Sequence, residues 1–195
     1  MENISVLRET AVIRHFSAYP RIERSETLVI KILFICHGNI CRSPMAEFVM
    51  QKLVNEAGLS DQFRIASAAT SREEIGNDVH YGTKQKMAEM GVPIWRREAR
   101  QMTKQDYLSY EYVILMDDNN WRNTMRIIGK DQDNKVYKAM YFTTPDVPLQ
   151  ADEGQRRAPR DVKDPWYTGN FDETYDDVIV SCTNLLAAIR HKHGI

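Results

Sequence analysis

A nearly continuous apolar run at residues 28–35, LVIKILFI, constrains the fold of this chain more than any other feature. Branched aliphatic residues throughout such a run are typical of a strand that is buried on both faces, as in a parallel sheet. A polar loop follows at residues 36–42, and the segment SPMAE comes next at 43–47. Serine favours the N-cap of a helix and proline its first position, so we predict a helix that begins at Ser43 and ends at Gly58.

Strand-like and helix-like segments alternate along the rest of the chain. This order predicts a single α/β domain in which a four-stranded parallel sheet is flanked by helices, with right-handed crossovers. Active sites of such sheets lie beyond the C-terminal ends of the strands, where the loop at 36–42 is expected. We assign this domain to residues 28–195 and treat residues 1–27 as an N-terminal extension, either a short helix or a flexible arm. The predicted strands are 28–35, 63–66, 112–116 and 136–141, the predicted helices are 43–58, 81–90, 103–110, one that ends near 128 and 171–190, and residues 143–170 are predicted to form a long loop.

Composition and charge exclude several classes of protein. The 195 residues include 26 basic and 27 acidic side chains, for a formal net charge of −1, so no broad basic surface for nucleic acid is expected. No apolar run is long enough to cross a bilayer, so no membrane partner is expected. Arginines interrupt the N-terminal apolar residues where a signal peptide needs a continuous core. We therefore expect a cytoplasmic protein.

The three cysteines, Cys36, Cys41 and Cys182, are too few for a disulfide framework and fit a reducing compartment. No spacing of cysteines and histidines resembles a zinc site, and we expect neither a metal nor a cofactor. Cys182 lies among apolar residues of the last predicted helix, where a buried core thiol is expected.

A loop with the features of a phosphate site joins the first strand to the first helix. The N-terminus of a helix presents unpaired backbone N–H groups and partial positive charge, which bind a tetrahedral dianion. Arg42 adds a planar fork of donors that holds two phosphate oxygens at once. Gly38 allows a turn that a side chain would obstruct, and Asn39 tolerates a left-handed conformation. The residues of this loop are Cys36, His37, Gly38, Asn39, Ile40, Cys41, Arg42 and Ser43.

Cys36 lies within this cradle for negative charge, which favours its thiolate form. A thiolate below a bound phosphate is placed for in-line attack on phosphorus, which gives a phosphocysteine intermediate. The donors that bind the phosphate also stabilise the equatorial oxygens of the transition state. The loop lacks the spaced glycines and the Lys-Ser/Thr pair of a nucleotide-binding P-loop, which disfavours nucleotide hydrolysis. The alternative interpretation is a buried thiol at a strand end beside a surface arginine.

The stretch ILFICHGNICRSPMAE resembles the signature of the low-molecular-weight protein-tyrosine phosphatases. The similarity continues through SAATS at 67–71, ARQ at 99–101, MD at 116–117 and DPWY at 164–167, and it spans roughly residues 30–190. The resemblance implies a flavodoxin-like fold of the phosphotyrosine phosphatase I type. It also implies hydrolysis of protein phosphotyrosine without a metal.

The resemblance assigns the general acid to Asp164 of the DPWY segment. This residue is expected to protonate the leaving tyrosyl oxygen and then to activate water. A long loop carries it, and Pro165 restrains its backbone. Asp161 is the second candidate, and a plain Asp-Pro turn is the structural alternative. Trp166 and Tyr167 are expected to line the pocket beside an aryl phosphate, or else to pack on the core.

Three polar residues, Asn39, Ser43 and Ser67, resemble the network that fixes the loop in this family. The chain departs from the family pattern at two positions. Arg97 stands where many members have a histidine, which leaves that part of the network open. Glu73 stands on the pocket rim where many eukaryotic members have a tryptophan, which leaves the substrate preference open.

Two further loop residues each have alternative roles. His37 occupies a position that is often aliphatic in the family, and we expect its side chain to face solvent while its backbone N–H serves the loop. Cys41 is close to Cys36 in the chain, so one interpretation is a reversible disulfide that protects the nucleophile from over-oxidation. The other is a small residue that merely fits the loop.

Two other activities share this fold and loop. Protein-arginine phosphatases resemble the pattern with threonine at the position of Ile40, whereas isoleucine favours a phenyl ring. Arsenate reductases need further cysteines for a disulfide relay, and Cys182 is a poor candidate. A non-catalytic phosphate-binding module is the least favoured alternative, because the chain has both a nucleophile and an acid. The expected partners are phosphotyrosine proteins, with a tyrosine kinase as one candidate, and a monomer or weak dimer is expected.

Overall fold

One parallel sheet of four strands organises residues 29–195, which are the residues that the computed structural model describes. The strands lie in the order 2-1-3-4, so the first strand is central. All three pairings are parallel. This confirms the predicted α/β class and its four-stranded parallel sheet. The strands are β1 (Ile30–Cys36), β2 (Phe63–Ala69), β3 (Tyr112–Leu115) and β4 (Val136–Lys138).

Helices cover both faces of this sheet. The first, second and seventh helices pack on one face, and the third and fourth pack on the other. None of the helices within residues 29–195 combines the length and the apolar character needed to cross a bilayer. The helices are α1 (Arg42–Glu56), α2 (Tyr81–Glu89), α3 (Lys104–Ser109), α4 (Asp118–Ile128), α5 (Glu153–Arg157), α6 (Pro165–Thr168) and α7 (Phe171–His193).

Strand β1 has an apolar run because both of its faces are covered. Ile32 and Phe34 belong to the core shared with α1 and α7, whereas Leu33 and Ile35 belong to the core shared with α3 and α4. All four side chains are fully buried. Burial of both faces removes the polar alternation of a half-exposed strand. The central strand is therefore a rigid support for the loop at residues 36–42, which follows it.

The two strands next to the loop continue further at their C-terminal ends than predicted. Strand β1 extends to Cys36 and β2 extends to Ala69, and these two residues are register partners. The nucleophile predicted from the sequence is thus the last residue of the strand rather than the first residue of a free loop. Strand β4 is shorter than predicted, because the chain turns into a 3-10 helix at Ala139–Tyr141.

The prediction of a featureless loop at residues 143–170 is wrong in part. Helix α5 forms there because Asp152 and Gln155 make reciprocal hydrogen bonds at its N-terminus. Helix α6 begins with Pro165, which fits the first turn of a helix. The prediction that residues 1–27 form a separate extension from 28–195 lies outside the described residues.

Candidate active site

The loop between β1 and α1 wraps around the sulfur of Cys36. The backbone N–H of Asn39 donates to Cys36 Sγ at 3.2 Å, and Ser43 Oγ lies 3.1 Å from the same sulfur. Asn39 has a φ of 62°, so the loop needs a residue that tolerates the left-handed region. Gly38 is required by a close approach, since a Cβ at this position would lie 2.9 Å from Glu74 Cγ. The thiol is almost fully buried at the N-terminal end of α1.

The prediction that Ser43 caps helix α1 is wrong. The helix begins one residue earlier, at Arg42, and Cys41 is its N-cap without a side-chain hydrogen bond. Ser43 therefore lies inside the first turn, where its hydroxyl reaches back to Cys36. The N-terminal backbone groups of α1 are left without a side-chain cap, so they are available to an anion.

Asn39 connects the loop to the second strand. Its Nδ2 donates to Ser43 Oγ at 2.9 Å and to Ser67 Oγ at 2.8 Å. Because Ser43 Oγ accepts from Asn39, its own proton is free to point at Cys36 Sγ. Ser67 in turn donates to the buried carboxylate of Glu47. The structure thus brings together Asn39, Ser43 and Ser67, the three residues of the predicted network.

Arg97 supports the loop at the position where the family resemblance leads us to expect histidine. Its Nη1 donates to the backbone oxygen of Asn39 at 3.0 Å, and its Nη2 donates to Asn39 Oδ1 at 2.5 Å. Its Nε lies 3.4 Å from Glu47 Oε2. Burial raises the pKa of Glu47, and the hydrogen bond from Ser67 and the charges of Arg97 and Arg100 oppose this effect. Arg97 therefore supports the loop at the position where many family members have a histidine.

Arg42 is a buried cation between two carboxylates. Its Nη1 donates to Asp117 Oδ2 at 2.6 Å and to the backbone oxygen of Val162 at 3.1 Å, and its Nη2 donates to Asp164. Burial alone would lower the pKa of Arg42, but the negative charges of Cys36, Asp164 and Asp117 outweigh burial and raise it. Its Nε is buried and has no hydrogen-bond partner among the described residues.

Asp164 lines the same pocket as Cys36. It is the N-cap of α6, where its Oδ1 accepts the backbone N–H of Trp166 at 3.1 Å. Its other carboxylate oxygen is bound by Arg42. Asp161, the second candidate, is turned away, because its Oδ1 accepts from Lys138 Nζ at 2.5 Å and from the backbone N–H of Asp118 at 3.1 Å.

The pocket above Cys36 has one acidic wall and one aromatic wall. On the aromatic wall the structure places Trp166 and Tyr167, which are 55% and 82% exposed and so do not pack on the core. On the acidic wall, Glu73 Oε2 lies 2.9 Å from His37 Nε2, and both side chains are exposed. The full set that lines the pocket is Cys36, His37, Gly38, Ile40, Cys41, Arg42, Glu73, Glu74, Asp164, Trp166 and Tyr167.

The three thiols differ in their surroundings. All are free and buried. Burial raises the pKa of Cys41 to about 12, and the nearby charges of Cys36 and Asp164 add to this effect. Burial also raises the pKa of Cys182, which is completely buried in the core against α1. Within residues 29–195, no group of three or more His, Cys, Asp or Glu side chains is arranged to hold a metal ion.

Three charged residues have roles that were not predicted from the sequence. Asp117 appeared only as part of a matching Met-Asp pair, yet it binds Arg42 directly. Glu47 appeared only as the last residue of the segment SPMAE, yet it accepts from Ser67 and pairs with Arg97. Lys138 had one available signal, a charge at the end of an otherwise apolar strand, and it is almost fully buried.

Comparisons with known proteins agree with this geometry. A family model described as low molecular weight phosphotyrosine protein phosphatase matches residues 31–194. The low molecular weight protein-tyrosine-phosphatase YfkJ of Bacillus subtilis is 33% identical over 165 residues, which cover 84% of this chain and 98% of YfkJ. The human low molecular weight phosphotyrosine protein phosphatase is 36% identical over 168 residues, which cover 86% of this chain and 98% of the human protein.

Two solved structures extend the agreement to the backbone. The crystal structure of YfkJ superposes with a TM-score of 0.74 at 32% identity, and covers 84% of this chain and 96% of YfkJ. The SP-PTP phosphatase of Streptococcus pyogenes superposes with a TM-score of 0.66 at 36% identity, and covers 82% of this chain and 92% of that one. These matches confirm the predicted family and, with it, the predicted class of enzyme, a protein-tyrosine phosphatase. The chain belongs to the low molecular weight phosphotyrosine protein phosphatase family.

Proposed function

We propose that the protein hydrolyses phosphotyrosine in proteins through a phosphocysteine at Cys36, without a metal ion. The observation that carries this proposal is the arrangement around Arg42. Its guanidinium binds Asp164, and its buried Nε has no partner among the described residues. A buried, unpaired N–H next to a thiol at a helix N-terminus fits an anion that binds between them. A tetrahedral phosphate satisfies both the arginine and the backbone donors.

In the first step, Cys36 Sγ attacks phosphorus while the bond from phosphorus to the phenolic oxygen breaks. The N–H of Asn39 donates to the sulfur, and the hydroxyl of Ser43 lies within hydrogen-bond distance and can donate its proton once the thiol is deprotonated, so both stabilise the thiolate. Asp164, when protonated, gives its proton to the departing oxygen. Arg42 and the N-terminus of α1 hold the equatorial oxygens, where negative charge is concentrated in the transition state.

In the second step, water attacks the phosphocysteine and Cys36 leaves as the thiolate. The carboxylate of Asp164 accepts a proton from the water, so that the same residue acts first as an acid and then as a base. Asp117 holds Arg42 Nη1, which fixes the guanidinium. The unpaired Nε and the second proton of Nη2, whose first proton is bound by Asp164, are then available to the phosphate. The products are inorganic phosphate and the free enzyme.

The two pocket walls support an aryl substrate. Ile40 is a buried part of the pocket lining, and Trp166 and Tyr167 are its exposed aromatic residues, so a phenyl ring would find apolar surface there. This arrangement favours phosphotyrosine over phosphoarginine. The third thiol, Cys182, is completely buried and cannot relay a disulfide as an arsenate reductase requires. The three free thiols also support a reducing compartment such as the cytoplasm, where phosphotyrosine proteins and a partner tyrosine kinase are candidate substrates.

Turnover of p-nitrophenyl phosphate and of a phosphotyrosine peptide, both in EDTA, tests the proposal. Wild type is expected to turn over both substrates, and Cys36→Ser is expected to lose activity by at least about a thousandfold. Cys182→Ala is the matched control, since it removes a thiol of the core. Asp164→Ala is expected to lower turnover strongly while inorganic phosphate still binds.

Three results would count against the proposal. They are activity in Cys36→Ser, a strict requirement for a metal ion, and a phosphoarginine peptide that is hydrolysed faster than its phosphotyrosine counterpart. The last result would mean that the same mechanism acts on the alternative substrate, protein phosphoarginine.

A further inference from the structure

Lys138 is a buried charge that the proposed mechanism does not use. It is the last residue of β4, and its side chain is only 4% exposed. A buried ammonium is unfavourable unless it is paired. Here its Nζ lies 2.5 Å from Asp161 Oδ1 and 3.5 Å from Asp118 Oδ1. The pair therefore joins the sheet edge to the segment that carries Asp164.

The contacts of Asp161 show what this connection fixes. Asp161 Oδ1 also accepts the backbone N–H of Asp118 at the start of α4. Its carboxylate is thus held at two points, by the end of β4 and by the N-terminus of α4. Asp161 stands three residues before Asp164 in the chain. A shift of Asp161 is transmitted along this short stretch to the acid.

Neighbouring backbone contacts hold the same stretch against the loop of Cys36. The N–H of Val162 donates to the backbone oxygen of Met116 at 2.8 Å, and the oxygen of Val162 accepts from Arg42. The oxygen of Lys163 accepts from Thr174 at 3.3 Å. These bonds hold residues 162 and 163 in place beside the end of β3. Lys138 holds the preceding residue, Asp161. A general acid needs this precision, because a small misplacement costs much of its effect.

We infer that Lys138, through Asp161, is a positioning residue for the proposed general acid Asp164. The inference rests on the proposed function, since it assumes that Asp164 protonates the leaving group. Lys138 itself touches no substrate. Its effect is therefore confined to the step in which the leaving oxygen takes up a proton.

The dependence of kcat/KM on the leaving group measures this step. Phenyl phosphate has a poor leaving group that needs a proton, whereas p-nitrophenyl phosphate has a good one that needs it little. We expect Lys138→Met to lower kcat/KM for phenyl phosphate by about tenfold and for p-nitrophenyl phosphate by less than about twofold. Lys135→Met is the matched control, because Lys135 lies just before the same strand and pairs with Asp133. It should leave both values unchanged.

A second variant tests whether the selective loss comes from the broken connection between Lys138 and Asp161, and not from the missing charge of Lys138 or from partial unfolding. Asp161→Ala removes the connection and leaves Asp118 Oδ1, 3.5 Å away, as the partner of the buried Lys138 ammonium. Urea unfolding of the variant checks that it is folded under the assay conditions. The variant should reproduce the selective loss on phenyl phosphate. The double variant should lose no more than either single variant, since both break one connection. Equal losses on both substrates, or no loss in either variant, would overturn the inference.

Asp164→Asn distinguishes this outcome from failure of the mechanism. If Asp164 is the acid, this variant must itself show a selective loss on phenyl phosphate. A selective loss in Asp164→Asn with none in Lys138→Met and Asp161→Ala refutes only the role of Lys138. No selective loss in Asp164→Asn refutes the assignment of the acid, and the inference falls with it.

Discussion

Arg97 binds Asn39 at both of its oxygens, the backbone carbonyl and the side-chain amide. Asn39 has a positive φ and contributes the N–H that reaches Cys36. The contact therefore fixes the residue on which the shape of the phosphate loop depends. Glu47 completes the arrangement, since it lies beside Arg97 and accepts from Ser67.

We predict that Arg97→Lys lowers kcat by about tenfold while the protein stays folded. Lysine keeps the positive charge opposite Glu47, but a single ammonium cannot reproduce the planar fork that reaches both oxygens of Asn39. Steady-state kinetics with p-nitrophenyl phosphate measures the change, and Arg96→Lys at the exposed neighbouring position is the control. An unchanged kcat in Arg97→Lys would show that the loop keeps its shape without the two hydrogen bonds from the Arg97 guanidinium.

The acidic rim at Glu73 predicts a preference among phosphotyrosine peptides. Glu73 is exposed at the pocket mouth beside His37, so a basic residue next to the phosphotyrosine is attracted and an acidic one is repelled. We expect Glu73→Lys to reverse the preference between lysine-flanked and glutamate-flanked peptides by about fivefold in kcat/KM. The effect should shrink in high salt. Glu153→Lys, away from the pocket, should change nothing, and an unchanged preference in Glu73→Lys would contradict the prediction.

The thiols should react with iodoacetamide in a fixed order at pH 7. Cys41 has a pKa raised to about 12 by burial and by neighbouring negative charge, so it is protonated and unreactive. Cys36 lines the pocket, and its sulfur accepts the backbone N–H of Asn39 at 3.2 Å and lies 3.1 Å from Ser43 Oγ. We expect peptide mass spectrometry to find Cys36 labelled at least about tenfold faster than Cys41, with inorganic phosphate slowing Cys36. Rapid labelling of Cys41 in Cys36→Ser would contradict this order.

Asp106 makes stability depend on pH in the acid range. It accepts from Arg100 Nη1 at 3.0 Å and from the N–H of Thr103 at 2.8 Å. Burial alone would raise the pKa of Asp106, but these hydrogen bonds and the charge of Arg100 outweigh burial and lower it. A carboxylate whose pKa is lower in the folded state stabilises the fold above its unfolded pKa, near about 3.9. That stabilisation is lost as the pH falls through the folded value.

We therefore predict that Asp106→Asn lowers the free energy of unfolding by about 1 kcal/mol at pH 7. The difference from wild type should shrink as the pH falls from about 4 toward about 2. Urea unfolding at several pH values measures it, with Asp146→Asn at an exposed position as the control. A difference that stays constant with pH would mean that Asp106 does not titrate as its contacts require.

Local sequence signals predicted the parts of the fold that local interactions determine. The apolar run predicted β1 because both of its faces are buried, and the helix predicted at 103–110 corresponds to α3, which has Thr103 as its N-cap. Ser43 was misplaced because good capping chemistry was assumed to serve the helix, whereas here its hydroxyl serves Cys36. The type of a residue limits what its side chain can bind. Which partner the side chain meets depends on the fold.

The supports of the site depend on contacts between residues that are far apart in the chain. Arg97 is 58 residues from Asn39, and Asp117 is 75 residues from Arg42. No periodicity or local motif reports such pairings, so Arg97 could be seen only as a departure from the family pattern. The structure shows that its longer side chain still reaches the loop. The predicted placement of Cys36, Arg42 and Asp164 around one pocket rested on family resemblance for the last of the three.

Identification of the phosphorylated residue during turnover tests whether Cys36 is the nucleophile. Asp164→Asn should slow hydrolysis of the intermediate, because the carboxylate that activates water is missing. When this variant turns over p-nitrophenyl phosphate in EDTA and is then denatured rapidly in SDS at neutral to alkaline pH, where the S–P bond survives, peptide mass spectrometry should find one phosphoryl group on Cys36. Phosphate on a different residue, or none on Cys36 while p-nitrophenol is still released in a burst, would contradict the account.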